Sequence, residues 1–244
     1  MRDRTQGPLL VAVPAHRERR DGGLLQCRHT HAGAYAAVVL AGGYEETGNW
    51  GRFRVQAGDV LFHDAFDSHL NRFEPRGATI LNLALTGQVH GLRAGRVFDA
   101  DAVARTAERD PLVAVSVLQE QLSEVRPVLD DWADLLANEI VRDPSCRLDR
   151  WADTYGITPE TVSRGFTRIY GISPATFRAE IRARKAFRQI VQTAESMVEI
   201  ASVIGFSDQA HMTRAVRALT GATPTHWRLR SNSFKTLPVS MSST

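Results

Sequence analysis

The spacing of hydrophobic positions changes partway along the chain. Between residues 24 and 85, three apolar runs occupy residues 34–40, 60–62 and 79–85. Turn-forming residues fall between them: Gly42-Gly43, Gly48-Asn49 and Ala57-Gly58-Asp59. Short strands divided in this way are typical of an antiparallel barrel or sandwich. We expect Gly42-Gly43 to end the first of these strands.

From about Asp101 the spacing becomes helical, because apolar residues recur every three or four positions. The stripe comprises Leu112, Val115, Leu118, Leu122, Val125, Leu129, Trp132 and Leu136. Pro127 interrupts it. Such a stripe either packs on the preceding strands or forms an interface between two copies, so a homodimer is one of two interpretations. Asp143-Pro144-Ser145 predicts a hinge into the last part of the chain.

The two terminal segments and the two cysteines indicate the cellular compartment in which the protein is expected. Residues 1–23 are rich in arginine, glycine and proline, and residues 231–244 are rich in serine and threonine, so we expect a loose start and a disordered tail. No stretch approaches the ~20 apolar residues of a membrane span, and no signal peptide is recognisable. Cys27 and Cys146 are far apart. We therefore expect a cytoplasmic protein without a membrane partner or a disulfide.

An internal repeat lies in the last hundred residues. The series Val162-Ser163-Arg164-Gly165-Phe166, Gly171, Pro174, Phe177 and Arg178 recurs fifty residues later as Met212-Thr213-Arg214-Ala215-Val216, Gly221, Pro224, Trp227 and Arg228. Upstream, Trp151-Ala152 and Gly156 match Ile200-Ala201 and Gly205 at an offset of 49. Each position keeps its chemical kind, which chance does not explain. The pattern indicates two copies of one structural unit.

Each copy has the pattern of a helix-turn-helix. A small residue (Ala152, Ala201) allows close helix packing, and a glycine four positions later can end the first helix in the left-handed conformation. Thr158 and Ser207 are the predicted caps of the second helix. From Pro174, a connecting helix of about 18 residues spans roughly 27 Å, which suits two reading helices about one DNA turn apart.

The second helices expose residue types that read base edges. Their outward positions are Glu160, Ser163, Arg164, Thr167 and Arg168 in the first copy, and Gln209, Ala210, Thr213, Arg214 and Arg217 in the second. Arginine pairs with guanine, glutamine with adenine, and serine or threonine with either. Residues 146–230 carry 13 basic and 7 acidic residues, whereas residues 1–145 carry 16 and 20. A basic half beside an acidic half suits a polyanion-binding module.

The repeat resembles the DNA-binding domain of the AraC/XylS family of bacterial transcription regulators. The closest stretch runs from Ile200 through Gly205-Phe206-Ser207 to Arg214, and continues to Trp227-Arg228. The resemblance implies that Glu160, Ser163, Arg164, Gln209, Ala210, Thr213 and Arg214 face bases.

The first part resembles the cupin signature, in which His-x-His and a later Gly-Asp and His lie on paired strands. Here these are His29, His31, Gly58-Asp59 and His69. Cupin enzymes hold a metal with three histidines and a glutamate, but Tyr35 and Ala36 occupy the glutamate's place, and Glu45 and Glu46 lie further along. Three imidazoles can hold zinc or iron, yet pocket-lining histidines are the preferred interpretation. The resemblance implies an effector pocket lined by His29, His31, Tyr35, Trp50, His63 and His69.

The predicted fold class is α+β: an N-terminal antiparallel, cupin-like β-barrel followed by an all-α domain with two helix-turn-helix modules. The predicted bounds are 1–100 for the sensing domain, 101–145 for a helical linker, 146–230 for the DNA-binding domain and 231–244 for the tail. The predicted function is transcription regulation without catalysis or a cofactor. The predicted partners are double-stranded DNA, a small-molecule effector, RNA polymerase and a second copy. A cupin-type metalloenzyme with ligands His29, His31 and His69 is the alternative.

Overall fold

An antiparallel sheet precedes a helical region in the computed structural model, which describes residues 15–85, 92–125 and 131–235. The strands are β1 (His16–Arg20), β2 (Leu25–Thr30), β3 (Tyr35–Gly48), β4 (Gly51–Gln56), β5 (Asp59–His63), β6 (Ser68–Ala84), β7 (Ala94–Val97) and β8 (Leu122–Glu124). Their order is β1-β6-β3-β5-β7-β8, with β2 beside β6 and β4 beside β3. The predicted antiparallel sheet is confirmed. The described pairings form an open path, so they do not show the ring closure of a barrel.

Strand β3 continues through Gly42-Gly43, so the prediction that these glycines end it is wrong. Its pairing with β6 shifts register between Val39 and Ala41 and again between Gly42 and Tyr44. Gly42 has a φ of 70°, and a Cβ there would lie 1.9 Å from the carbonyl oxygen of Gly77. Only glycine fits so close an approach. The pair therefore bends a long strand instead of terminating it.

The start of the sheet also differs from the prediction. Residues 16–20 of the supposedly loose N-terminal segment form β1, which pairs with the second half of β6 from His16↔Asn82 to Arg20↔Ala78. Alternation along β1 places Glu18 half-buried, whereas the arginine at position 17 is exposed. The polar segment of residues 16–20 therefore forms a strand that contributes side chains to the interior.

Nine helices occupy most of the remaining described residues. They are α1 (Ala100–Ala107), α2 (Pro111–Gln121), α3 (Trp132–Arg142), α4 (Leu148–Thr154), α5 (Pro159–Tyr170), α6 (Pro174–Gln192), α7 (Met197–Ile204), α8 (Gln209–Thr220) and α9 (Pro224–Lys235). Within the described residues, no helix combines the length and apolarity needed to cross a bilayer. Helix α9 reaches Lys235, so residues 231–235 of the predicted disordered tail are helical. The rest of that tail lies outside the described residues.

The predicted apolar stripe is not one continuous helical face. Helix α2 ends at Gln121, and the chain then adds β8 to the sheet edge at β7. Leu122 belongs to this strand and fills the space beside Gly95, where a Cβ would meet Leu122 Cδ1 at 2.4 Å. Leu118 is fully buried, whereas Leu112 is 66% exposed. Pro127 and Leu129 lie outside the described residues.

One backbone turn occurs twice, at the two sites where the sequence repeat places it. After α4, Gly156 has a φ of 64°, and Ile157 N donates to Ala152 O at 3.0 Å. After α7, Gly205 has a φ of 85°, and Phe206 N donates to Ala201 O at 2.9 Å. These left-handed glycines satisfy the last carbonyls of each helix. The glycine pattern predicted from the sequence is thus confirmed in both copies.

Packing divides the described chain into two compact units, residues 15–177 and residues 178–235, so the boundary falls inside α6. The predicted hinge at Asp143-Pro144-Ser145 stays a prediction; the structure has a turn there, in which Ser145 N donates to Asp143 Oδ1 at 2.8 Å. Within the larger unit, however, packing continues across this turn to α5. The domain bounds at 100, 145 and 230 stay a prediction.

A buried carboxylate joins three elements of the larger unit. Asp134 on α3 is 1% exposed, and its Oδ2 accepts from Arg52 of β4 at 2.7 Å. Its Oδ1 accepts from the hydroxyl of Tyr170 at the end of α5, at 2.9 Å. Asp131, at the start of α3, accepts from the same guanidinium at 2.9 Å. Sheet, α3 and α5 therefore share one hydrogen-bond network.

Replacing Asp134 with alanine should lower the free energy of unfolding by on the order of 3 kcal/mol. This is the lower end of the cost of breaking a buried ion pair, because Asp131 stays beside Arg52. Urea denaturation followed by circular dichroism measures the change. The control is Glu139→Ala on the same helix, which removes a solvent-exposed pair with Arg142 and should cost at most about 1 kcal/mol. Equal stability of Asp134→Ala and the control would contradict the network.

Candidate functional site

The outward face of α5 carries the residues predicted to contact DNA. Val162, Phe166 and Tyr170 are buried, and they anchor the helix from one side. The predicted contact residues are all exposed: Glu160, Ser163, Arg164 and Arg168. Thr158 caps the helix as predicted, accepting from Thr161 N at 3.3 Å. The helix therefore presents a polar, two-arginine surface from a fixed apolar base.

Helix α8 repeats this arrangement in the smaller unit. Met212 and Val216 are fully buried among Ile190, Ile200 and Phe206. Of the predicted contact residues, Thr213 is half-buried and the others are exposed: Gln209, Ala210, Arg214 and Arg217. The predicted cap is wrong here.

Asp208, not Ser207, caps α8, because its Oδ1 accepts from His211 N at 2.6 Å. Ser207 instead donates to the Asp208 carboxylate at 3.1 Å. A carboxylate is the stronger acceptor at a helix N-terminus, where the helix dipole favours negative charge. The residues on the exposed face of α8 are the same whether Asp208 or Ser207 is the cap.

The C-terminal end of α5 is fastened to the sheet. Arg72 of β6 donates to the carbonyl oxygens of Ile169 and Arg168, at 3.2 and 2.9 Å. Such contacts satisfy carbonyls that the helix leaves unpaired and place a positive charge at its negative end. Gly171, which ends the helix, lies against Leu70, whose Cδ2 would be 2.8 Å from an added Cβ.

A second close contact holds the middle of α5. A Cβ on Gly165 would lie 2.6 Å from the Trp132 ring of α3. Glycine inside a helix costs about 1 kcal/mol relative to alanine, and here it makes room for the indole. Gly165, which corresponds to Ala215 in the second copy, is therefore required for packing in the first copy.

The sheet encloses a cavity of about 210 Å³. Most of the residues that line it are polar, and five are histidines. The lining residues are His16, Glu18, Arg20, Gln26, His29, His31, Tyr35, Ala37, Tyr44, Glu46, His63, His69, Asn71, Ile80 and Asn82. Five of the six predicted pocket residues line it. Trp50 does not, because its ring stacks under Arg93 at 3.5 Å and its Nε1 donates to Asp67 at 3.0 Å.

Glu46 is a cavity residue that sequence reasoning missed. It is 5% exposed, and its Oε2 lies 3.7 Å from His63 Nε2. The register shifts in β3 change which side chains face inward, from Tyr35 and Ala37 before the bend to Tyr44 and Glu46 after it. Strict alternation from Tyr35 would place position 46 on the opposite face. The Gly42-Gly43 pair was the available signal for this change.

Burial favours the neutral forms of three cavity residues, Glu46, His31 and His69, near pH 7. It raises the pKa of Glu46 to about 8, against the opposing charge of Arg28. Burial, reinforced by His29, lowers the pKa of His31 to about 4. Burial and the neighbouring His63 also lower the pKa of His69. The cavity therefore offers imidazole lone pairs and a protonated carboxyl to a ligand.

Two groups of potential metal ligands meet at His69. The predicted trio of His29, His31 and His69 has one ligand atom from each residue within 4.8 Å of the others. Glu46, His63 and His69 satisfy the same criterion deeper in the cavity, where all three side chains are buried. The sequence predicted the first group and not the second. His63 was predicted as a pocket residue, but Glu46 was not, because it faces the cavity only after the register shifts in β3.

The family comparison concerns the helical part. Residues 151–230 match the family model described as "Helix-turn-helix domain". Residues 151–230 form an AraC-type helix-turn-helix domain. Helices α5 and α8, with their matching buried and exposed faces, both lie inside it. This domain covers about a third of the chain and confirms the predicted resemblance for that part; the cupin resemblance stays a prediction.

Three curated regulators are similar to this chain over different lengths. The virulence regulon transcriptional activator VirF of Yersinia enterocolitica is 34% identical over 83 residues, which cover 34% of this chain and 31% of VirF. The regulator ExsA of Pseudomonas aeruginosa is 30% identical over 82 residues, covering 34% of this chain and 30% of ExsA. The regulator GbdR of the same organism is 23% identical over 215 residues, covering 85% of this chain and 58% of GbdR.

Among solved structures, the DNA-binding domain of AdpA in complex with a target DNA is 17% identical, with a TM-score of 0.41, covering 45% of this chain and all of that domain. ToxT of Vibrio cholerae is 8% identical with a TM-score of 0.40 over 88% of this chain and 91% of ToxT. These scores are too low to support a conclusion about this chain. The chain spans about a third of the length of the first curated relatives it matches.

Replacing Glu46 with glutamine should flatten the stability profile on the alkaline side. Between pH 4.5 and 8 the folded protein holds a proton that the unfolded chain has lost, so the free energy of unfolding falls by about 1.4 kcal/mol per pH unit as pH rises. Glutamine cannot titrate, and Glu46→Gln should therefore be more stable than the parent at pH 8. Below pH 6.5, His31 acts oppositely: stability falls as pH drops toward 4, and the substitution leaves this limb intact.

Urea midpoints measured from pH 4 to 9 in the presence of a chelator test this prediction. Glu45→Gln is the matched control, since Glu45 is the neighbouring residue and lies beside Arg54, outside the cavity lining. It should keep the parent's alkaline slope. An unchanged slope in Glu46→Gln would show that Glu46 is not the buried, protonated group.

Proposed function

We propose that this protein is a sequence-specific DNA-binding transcription regulator whose N-terminal cavity binds a small-molecule effector. The observation that carries the proposal is the repeated helix pair inside the AraC-type domain. Both α5 and α8 bury an apolar i,i+4 pair, end at a left-handed glycine and expose an arginine at the same step. Two helices with the same exposed polar face can bind in two successive major grooves of a DNA duplex.

The exposed side chains suit contact with base edges and phosphates. Arg164 and Arg214 can each make a bidentate contact with guanine O6 and N7, and Gln209 can pair with adenine. Ser163 and Thr213 accept or donate at either base, and Glu160 can accept from cytosine. Arg168 and Arg217, in the last turns of their helices, are assigned to phosphates. The excess of basic residues in this part of the sequence supports a polyanionic partner.

Each helix pair is proposed to act as a separate helix-turn-helix module. In the first, α4 supports α5; in the second, α7 supports α8. Helix α6 joins them, and its 19 residues correspond to about 28 Å. That length is near the repeat of the DNA helix, about 34 Å, and supports binding to successive grooves on one face of the duplex.

The named relatives support a regulatory role and not a catalytic one. VirF is named a transcriptional activator, and ExsA and GbdR are named transcriptional regulators. RNA polymerase is the partner that such a regulator must influence, either by direct contact or by occupying the DNA site at which the polymerase binds. A second copy of the chain is the remaining proposed partner, and the exposed Leu112 and Val113 of α2 offer it an apolar surface.

Effector control is proposed to act through β6. His69 and Asn71 line the cavity, whereas Leu70 and Arg72, the alternate residues of the same strand, contact the end of α5. A ligand that moves the inward side chains of β6 therefore moves the support of the first reading helix. It changes DNA affinity only to the extent that it binds the two states with different affinity.

Substituting Arg164 or Arg214 with alanine should cost about 1–3 kcal/mol at the base pair each residue reads, and should relax preference there. Selection of target sequences by the purified chain from random duplexes, followed by fluorescence anisotropy at several salt concentrations, measures both effects. Arg105→Ala is the control, because this exposed arginine lies on α1, outside the AraC-type domain. The control should retain the parent's affinity and sequence preference.

Two outcomes would contradict the proposed function. One is that the parent binds all duplexes equally once salt is raised, which would mean that it has no sequence preference. The other is that Arg164→Ala and Arg214→Ala select the same sequences with the same affinity as the parent. Loss of affinity without loss of preference would reassign the arginine concerned to phosphate contact.

A further inference from the structure

We propose that the cavity binds a divalent first-row transition-metal ion through Glu46, His63 and His69. These residues come from β3, β5 and β6, and their exposed fractions are 5%, 4% and 2%. One ligand atom from each lies within 4.8 Å of the other two. Sheet pairing places them together, since Glu46 pairs with Asn71 two positions from His69, and β5 runs along the other edge of β3.

The chemistry of this group favours a metal ion of intermediate softness. Imidazole nitrogen with one carboxylate oxygen is a donor set for zinc, iron, cobalt, nickel or copper. Calcium and magnesium prefer oxygen ligands in larger number, which three side chains with one carboxylate do not supply. The absence of sulfur from the group disfavours copper(I), which selects thiolate or thioether ligands.

A buried nitrogen supplies independent support. Within the described part of the chain, no donor or acceptor pairs with His69 Nδ1. Its other ring nitrogen, Nε2, lies 3.4 Å from the hydroxyl of Tyr35. Leaving a buried polar atom without a partner costs about 1–3 kcal/mol. A metal ion held through Nδ1 of His69 would satisfy this atom through its lone pair.

The inner group is preferred over the predicted trio of His29, His31 and His69. His29 and His31 are only half-buried, whereas the three residues of the inner group are buried. Both ring nitrogens of His29 already have neighbours: Nδ1 lies 2.9 Å from the carbonyl oxygen of Cys27, and Nε2 lies 3.3 Å from the side-chain amide of Gln26. His29 would have to give up its contact with Gln26 to bind an ion.

The metal site does not depend on DNA binding, but its role as the effector site rests on the proposed function. The two are tested separately. For the site, the full-length chain is purified without a polyhistidine tag, stripped with a chelator and titrated with zinc by calorimetry and with cobalt(II) by visible absorption. We expect one ion per chain, with the intense visible bands of cobalt in a site of low coordination number.

Variants identify the ligands. Glu46→Gln and His63→Gln should each weaken cobalt binding by at least about 100-fold, the upper end of what loss of an outer-shell partner costs. His226→Gln, which removes an exposed histidine of α9, should bind as the parent does. His29→Gln should weaken binding by less than Glu46→Gln or His63→Gln. Thermal melting of each metal-free variant shows whether that variant folds. The titration of the parent chain tests metal binding even if a variant fails to fold.

Three results would overturn the proposed site. The first is a parent that binds no cobalt or zinc after stripping. The second is binding that His226→Gln abolishes, which would place the ion on the surface. The third is loss of binding in His29→Gln with the parent's affinity in Glu46→Gln and His63→Gln, which would move the ion to the outer trio.

The regulatory role is tested on the selected DNA target with and without zinc. A tenfold or larger change in affinity that Glu46→Gln removes supports the ion as effector. Unchanged affinity in a chain that binds the ion overturns the effector role and leaves the site in place. If the chain binds no DNA in either state, the proposed function fails, and the cobalt titration still decides the metal site.

Discussion

Alternation of side chains along β6 is the constraint on which the arrangement of the larger unit depends. His69 and Asn71 face the cavity, and Leu70 and Arg72 contact α5 from the opposite face of the same strand. Because successive side chains of a strand point to opposite faces, a shift of the β6 backbone moves both sets together. One strand therefore carries both a wall of the cavity and the support of α5.

The contacts beyond β6 reinforce this support. Asp134 ties Tyr170, at the last turn of α5, to Arg52 of the sheet. The Trp132 ring packs on Gly165 in the middle of the same helix. Helix α5 thus belongs to the packing unit of the sheet, whereas α8 belongs to the unit formed by residues 178–235. The helix pairs are alike in sequence and local structure, but only the first shares a unit with the cavity.

The sequence predicted the features that depend on short-range chemistry. Left-handed glycines at 156 and 205, the buried pairs Val162 with Phe166 and Met212 with Val216, and the cap at Thr158 all follow from local preferences and helical periodicity. The strands around residues 60–62 and 79–85 were predictable for the same reason. Five cavity residues were predicted from a resemblance that extends over most of the sheet.

The features that the sequence did not predict depend on contacts between distant segments. Gly42 allows a close approach to the backbone at Gly77, and the register shifts on either side of it turn Glu46 inward. Leu122 leaves the helical stripe because β7 offers a free edge beside Gly95. Trp50 stacks on Arg93, which lies in another strand connection. The helical spacing after Pro144 gave no sign that α5 packs on α3 and β6.

We propose that α5 and α8 each read one major groove. Protection of guanine N7 from methylation on a selected target, with the full-length chain bound, tests it most directly because N7 lies in the major groove. We expect two separate windows of protection, about one helical turn apart. A single window, or weak protection that is the same on unselected DNA, would contradict it.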